Sequence, residues 1–282
     1  MPITDAAHTN HAVLFGSHTS SLARTDPEFV EVFDNFAFDE VASRSLLPVQ
    51  LRLEVTLAAL IALGAVAEYR VMLGAALNVG VTPVEVKEVV YHAVPYCGQA
   101  RVFDFLHATN DVLTERGIEL PLEAQSTTTP ATRREAGFAL QAAIFGDRIQ
   151  AGYDNAPADE VHLHEFLSAN CFGDTWTRGG LDVPTRELLT FAMLSALGGC
   201  ESQLKGHIAG NANVGNGRVV LIDVATQLLP WIGYPRTLNA LTVEAADATA
   251  DVAGPNAIAA LWALKAAGVV EHTVDVPVLW RL

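Results

Sequence analysis

Positive charge is scarce in this 282-residue chain: 17 lysines and arginines stand against 32 aspartates and glutamates, a formal net charge of −15. Such an acidic surface is repelled by nucleic acid and by anionic membranes, so neither is expected as a partner. An anionic substrate would need a local cluster of arginine or lysine. Cysteine is scarce too. Cys97, Cys171 and Cys200 are odd in number and lack the spacing of a disulfide framework, which fits a reducing, cytoplasmic compartment. No apolar run reaches the ~18 uninterrupted residues that a membrane span requires. The first twenty residues contain no basic segment followed by an apolar one, so no signal peptide is expected. No stretch alternates with period two for long enough to make a strand. No compact His/Asp/Glu cluster has ligand spacing, so neither a metal nor another cofactor is expected.

What is present is apolar. Half the residues are hydrophobic, 17% are charged, and the mean hydropathy is +0.27, which implies a large core or extensive subunit contacts. The length allows one large domain or two ordinary ones. Helical signals recur from Asp26 onward. Pro27-Glu28 is a plausible helix start, with Phe29, Val30, Val32 and Phe33 on its apolar side, and Val49–Val66 is long and rich in Ala and Leu. In Val79-Gly80-Val81-Thr82-Pro83 the glycine suits a helix stop, Thr82 an N-cap and Pro83 the first helical position. The fold class expected is all-α.

The pattern then repeats. Shifted by 134 residues, Phe38, Arg44, Leu47, Val49 and Arg52 meet Phe172, Arg178, Leu181, Val183 and Arg186. After one extra residue near Gly199 the match resumes at 135, setting Asn78-Val79-Gly80 on Asn213-Val214-Gly215 and Glu88 on Asp223. A period this long means two copies of one helical domain rather than a solenoid. The expected organisation is an irregular N-terminal arm (1–27), a first repeat (28–119), a Ser/Thr/Pro-rich linker (120–135), a second repeat (136–250) and an unmatched C-terminal extension (251–282). In that extension Ala257–Ala267 reads as helical, and the closing VDVPVLWRL as a docking segment.

Chemistry concentrates in the second copy, in RELLTFAMLSALGGCESQLKGHIAGNANVG (Arg186–Gly215). Cys200, Gln203 and His207 sit at i, i+3 and i+7, along one helix face. Gly198-Gly199 places Cys200 near a helix N-terminus, where a thiolate is favoured. If the two segments are neighbours, Glu187 can reach His207 or Cys200 and orient a proton transfer. A lone Cys is as readily a small core hydrophobe, and Glu201 reads equally as a capping carboxylate. In the first copy Met72 stands at the His207 position, Leu53 at that of Glu187 with Glu54 beside it, and Ala65 and Val66 near that of Cys200. That copy reads as mainly structural, lending wall residues among which Glu68, His92, Tyr96 and Cys97 are the polar or reactive ones.

Those segments, with TQLLPWIGYPRTLNAL and AALNVGVTPVEVKEVVYHAVPYCGQA, resemble the carboxymuconolactone decarboxylase and AhpD-like superfamily in tandem form. The resemblance covers about residues 26–250. It implies helical domains that assemble as trimers or hexamers, so that a homo-oligomer of three two-repeat chains would mimic a hexamer of single domains. The peroxidase branch carries Glu, then Cys-x-x-Cys-x-x-x-His; Glu187, Cys200 and His207 match, but Gln203 replaces the second, resolving cysteine. The decarboxylase branch needs no thiol pair, and the resemblance implies conversion of 4-carboxymuconolactone to 3-oxoadipate enol-lactone and CO2. On that reading His207 is the general acid/base, Glu187 its orienter, and Arg178 or Arg186 a holder of the substrate carboxylate, though each of these arginines taken alone reads first as a structural ion-pair partner; Glu201, His92 and Tyr96 are further substrate contacts. Two alternatives stay open: thiol-dependent alkylhydroperoxidase-like antioxidant activity through Cys200, and a non-catalytic helical oligomer that binds a small molecule.

Overall fold

The computed structural model describes residues 2–247, and side chains through residue 243. The expected helix at Ala257–Ala267 and the docking of VDVPVLWRL lie outside the described residues. Among the described residues every regular element is helical. None of these helices is long and apolar enough to cross a membrane.

The N-terminal segment departs from the irregular arm expected. It forms α1 (Asp5–Phe15) and the single turn α2 (Leu22–Thr25). The Thr4 side chain caps α1 by accepting from the Ala7 N–H, and Ala7 and Leu14 are buried. A signal for this helix was present: Ala12-Val13-Leu14-Phe15-Gly16 parallels Ala142-Ala143-Ile144-Phe145-Gly146, but at a shift of 130. Both Gly16 and Gly146 end their helices at positive φ (62° and 70°), where a side chain would be strained.

The first repeat continues with α3 (Pro27–Asn35), α4 (Val49–Leu63), α5 (Val66–Asn78), α6 (Pro83–Cys97) and α7 (Gln99–Glu115). On α3 the expected apolar face is split: Phe29 and Val32 are exposed, whereas Val30 and Phe33 turn partly inward. Thr82 and Glu85 cap α6 reciprocally, each side chain accepting the other's backbone N–H, with Pro83 at the first position.

The second repeat contains α8 (Arg133–Phe145), α9 (Arg148–Asn155), α10 (Val161–Phe166), α11 (Val183–Leu197), α12 (Glu201–Asn213) and α13 (Arg218–Asp247). Gly233 breaks α13 at φ 77°, as Gly98 at φ 81° separates α6 from α7. A π-helical stretch recurs in register, at Phe36–Val41 and Leu167–Trp176.

The two repeats face each other. Helices α4 and α11 are apolar on nearly every side because they pack together at the centre, α4 with ten buried residues and α11 with eleven. Contacts come in matched pairs: α6 touches both α4 and α11, and α13 touches both α11 and α4. The halves are therefore related by an approximate twofold. One hydrophobic core runs through both, from Ala7 to Ala240.

Candidate active site

Asp182 caps α11 by accepting the Thr185 N–H at 2.8 Å, and Pro184 sits in the first turn, fixing where the helix begins. This register turns Glu187 inward until it is fully buried. Gly198 and Gly199, both at positive φ (66° and 71°), reverse the chain so that α12 runs back along α11. His207 on α12 then meets Glu187, with Nδ1 2.9 Å from Oε2. Asn211, one turn on, donates to the Glu187 carbonyl oxygen at 3.1 Å and to the His207 carbonyl oxygen at 2.8 Å, locking the two helices in register.

The close approach depends on Gly210. A Cβ there would lie 2.6 Å from Phe145 Cε1 and 2.8 Å from Glu187 Oε1. Burial raises the pKa of Glu187, and the hydrogen bond and charge of His207 oppose that shift. Its other oxygen, Oε1, has no partner.

An aromatic wall surrounds the imidazole. The Trp176 ring lies nearly parallel to it at 6.2 Å, and Phe145 and Tyr96 meet it edge-on at 5.5 and 5.8 Å. Tyr96 comes from α6 of the first repeat and accepts from Trp176 Nε1 at 3.0 Å, while its own hydroxyl also meets the Thr190 and Cys171 side chains. Burial, and then the neighbouring Cys171, raise the Tyr96 pKa, so it stays protonated. His92, also from α6, contacts the rings of Tyr96 and Trp176. Its Nε2 lies 2.9 Å from Thr190 Oγ1 and 3.1 Å from the Arg186 carbonyl oxygen. Because that carbonyl can only accept, Nε2 carries the hydrogen, and the buried Nδ1 is left as an acceptor without a partner. Burial and the Arg186 charge hold the His92 pKa well below its ordinary value.

The site is thus composite: Glu187, His207, Trp176 and Phe145 come from one repeat, His92 and Tyr96 from the other. At the twofold-related position Leu53, Met72 and Phe38 meet Gln227 and Trp231 around a small void of about 30 Å3. There no carboxylate–imidazole pair exists.

Four of the residues singled out in the sequence are engaged away from the Glu187–His207 pair. Arg186, completely buried, donates to Glu88 Oε2 at 3.0 Å and to the carbonyl oxygens of Arg178 and Gly179. Arg178 grips both oxygens of Glu88 and covers the Tyr91 ring at 5.0 Å. Of the two roles open to these arginines, substrate-carboxylate holder and structural ion-pair partner, the structure shows the ion pair, with Glu88 shared between them. Glu201 is exposed and accepts the Gly199 N–H at 3.2 Å, at the first position of α12 and six residues before His207. Cys200 is the residue preceding α12, and seven residues of helix, roughly 10 Å, separate it from His207. Its thiol donates to the Leu194 carbonyl oxygen at 3.3 Å. Partial burial and the Glu201 charge push its pKa up, the opposite of the thiolate expected at a helix N-terminus.

Three residues of this neighbourhood escaped the sequence. Phe145 was signalled only by the Ile-Phe-Gly parallel to Leu14-Phe15-Gly16. Trp176 aligns with Ala42 and so carried no repeat signal. Arg148 stacks on the Phe145 ring at 4.7 Å and donates to the Gly206 carbonyl oxygen at 3.1 Å, close enough to Glu187 to lower that carboxyl's pKa. Among the described residues no group of three or more His, Cys, Asp or Glu side chains is arranged to hold a metal ion.

The family model for the carboxymuconolactone decarboxylase family matches this chain twice, over residues 27–111 and 162–246. The 4-carboxymuconolactone decarboxylase of Acinetobacter baylyi is 38% identical over 91 residues, a segment covering 32% of this chain and 68% of that protein. With the family's unit matched once in each half, the chain belongs to the carboxymuconolactone decarboxylase family, in a tandem two-repeat form.

Proposed function

We infer that this protein is a cofactor-independent carboxy-lyase acting on 4-carboxymuconolactone or a closely related small organic acid. The observation that carries this reading is the 2.9 Å contact between His207 Nδ1 and the buried Glu187, under an aromatic wall lent partly by the other repeat. Heterolysis of the bond to the departing carboxyl releases CO2 and leaves its electron pair delocalised onto the lactone oxygen. Tyr96, kept protonated by burial, would stabilise that oxygen by turning its O–H from the neighbouring Thr190 and Cys171 side chains toward it. His207, held by Glu187 through Nδ1, delivers a proton from Nε2 to carbon; Glu187 stabilises the imidazolium before the transfer and orients the neutral ring after it. Water returns the proton, so one proton is consumed per CO2 released. Arg148, at the edge of the site, takes the substrate-carboxylate role that Arg178 and Arg186 are not free to perform.

A thiol peroxidase reading is poorly supported: the Cys200 pKa is raised, the thiol lies two turns from His207, and Gln203 stands where a resolving thiol would be.

Conversion of 4-carboxymuconolactone, followed by CO2 release, is the test. His207→Ala should lower kcat/KM by about 10²–10⁴-fold, and Glu187→Gln by a smaller factor. Arg148→Ala should raise KM more than it lowers kcat. A wild-type protein that releases no CO2 overturns the substrate assignment. Unchanged kcat/KM in both Glu187→Gln and His207→Ala overturns the proton-transfer pair.

A further inference from the structure

A second cavity, of about 300 Å3, lies where the C-terminal ends of α4 and α11 meet on the internal twofold. Its lining comes in equivalent pairs: Ala62 with Ala196, Leu63 with Leu197, and Arg101 with Arg236. The last pair stands out in a chain of net charge −15. Arg101 is the third residue of α7 after Gly98, and Arg236 the third residue after the Gly233 break in α13. A cation in the first turn of a helix opposes the helix dipole. Two repeats whose sequences diverge elsewhere both keep one there.

Neither guanidinium is neutralised: no ion pair to either is found among the described residues. Arg101 uses Nη1 to hold the Ala62 carbonyl oxygen, leaving most of its five N–H donors for another acceptor. No hydrogen bond to Arg236 is found among the described residues, and it is exposed at the rim. Leu63 and Leu197 supply apolar wall between the two charges.

We propose that this twofold cavity binds a small dicarboxylate, one carboxylate at Arg101 and the other at Arg236, with its hydrocarbon middle against Leu63 and Leu197. Guanidinium forks match carboxylates in geometry as well as charge. The volume suits a ligand of a few carbon atoms. The site is separate from the Glu187–His207 pair: Cys200, which borders it, precedes α12 by one residue and lies about two helical turns from His207. It does not depend on the decarboxylase reading.

Adipate is the probe, titrated calorimetrically into the full chain at low ionic strength. Adipate should bind, and Arg236→Ala should weaken it about tenfold or more. Arg101→Ala should do the same, the double variant should lose it, and added salt should weaken it in the wild type. Arg236→Ala touches no hydrogen bond of the described chain, so it reads binding without disturbing the fold, and Arg236→Lys should recover only part of the affinity. His207→Ala should bind adipate as the wild type does. The proposal is overturned if adipate fails to bind at millimolar concentration, or if the double variant binds it undiminished. It is equally overturned if the neutral adipamide binds as well, or if His207→Ala alone abolishes binding, which would move the ligand to the other site.

Discussion

At the residue scale, the site rests on tolerances of a few tenths of an ångström. Gly210 is the clearest case, since a methyl group there would meet both Phe145 and the unpartnered oxygen of Glu187. Gly210→Ala should cost about 1–3 kcal/mol of stability by overpacking. It should also depress turnover by displacing Glu187 from His207; a variant with normal kcat and an unshifted melting temperature would contradict this geometry. The Glu187–His207 pair was legible in the sequence because a twenty-residue spacing across a double glycine leaves few ways for two buried helices to pair. The arginines were not. Sequence shows that Arg178 and Arg186 are cationic, but that Glu88, ninety residues away, already occupies them depends on the contact between repeats.

At the scale of elements, helix ends carry the electrostatics. The carboxylates of Glu85 and Asp182 are spent on capping α6 and α11, and both bear on Glu54 of α4, which is buried. Burial first, then Glu85 and Asp182, raise the Glu54 pKa to about 8. Between its ordinary 4.5 and about 8, the folded protein holds a proton that the unfolded chain has released, so stability falls as pH rises through that window. Denaturant midpoints measured from pH 5 to 8.5 should drop by the equivalent of a few kcal/mol in the wild type. The slope should flatten in Glu54→Gln, and identical slopes would remove Glu54 from the explanation. The helix stops at Gly80 and Gly198 and the N-cap at Thr82 could be read directly, because local backbone chemistry sets them. Helix α1 was missed because its match to α8 lies at a shift of 130, four residues out of step with the 134 that aligns Phe38–Arg52 with Phe172–Arg186. The approach of α8 to the π-helical stretch at Leu167–Trp176 was equally hidden. It requires Gly137, where a Cβ would sit 1.9 Å from the Ser168 carbonyl oxygen.

For the molecule as a whole, the duplication was plain from ordered matches of Pro, Gly, Arg and Asn, and it carried the fold. The reciprocity between halves was not plain. Glu88 of the first repeat holds Arg178 and Arg186 of the second, while Asp223 of the second accepts from the Leu46 N–H of the first and lies near its Arg52. These crossed pairs tie the repeats together at buried positions. Glu88→Gln leaves Arg186 buried without its counter-charge and should lower stability by about 3–5 kcal/mol, visible as a lower melting temperature. A shift under a degree would show that the clamp is dispensable.

The shared site has a further consequence for how such a chain can change over generations. In a pair of identical subunits, one substitution alters both symmetry-related sites at once, so a harmful change has no silent copy in which to persist. Fusion lifts that constraint. Leu53 and Met72 stand where the other half has an acid and an imidazole, and the half that carries them supplies the shared site with different residues, His92 and Tyr96. Each half is free to drift in the pocket it anchors or in the one it merely walls, but not in both. A duplicated ancestor with two reaction centres can in this way become a chain with one, and an active-site ligand should saturate it at one molecule per polypeptide.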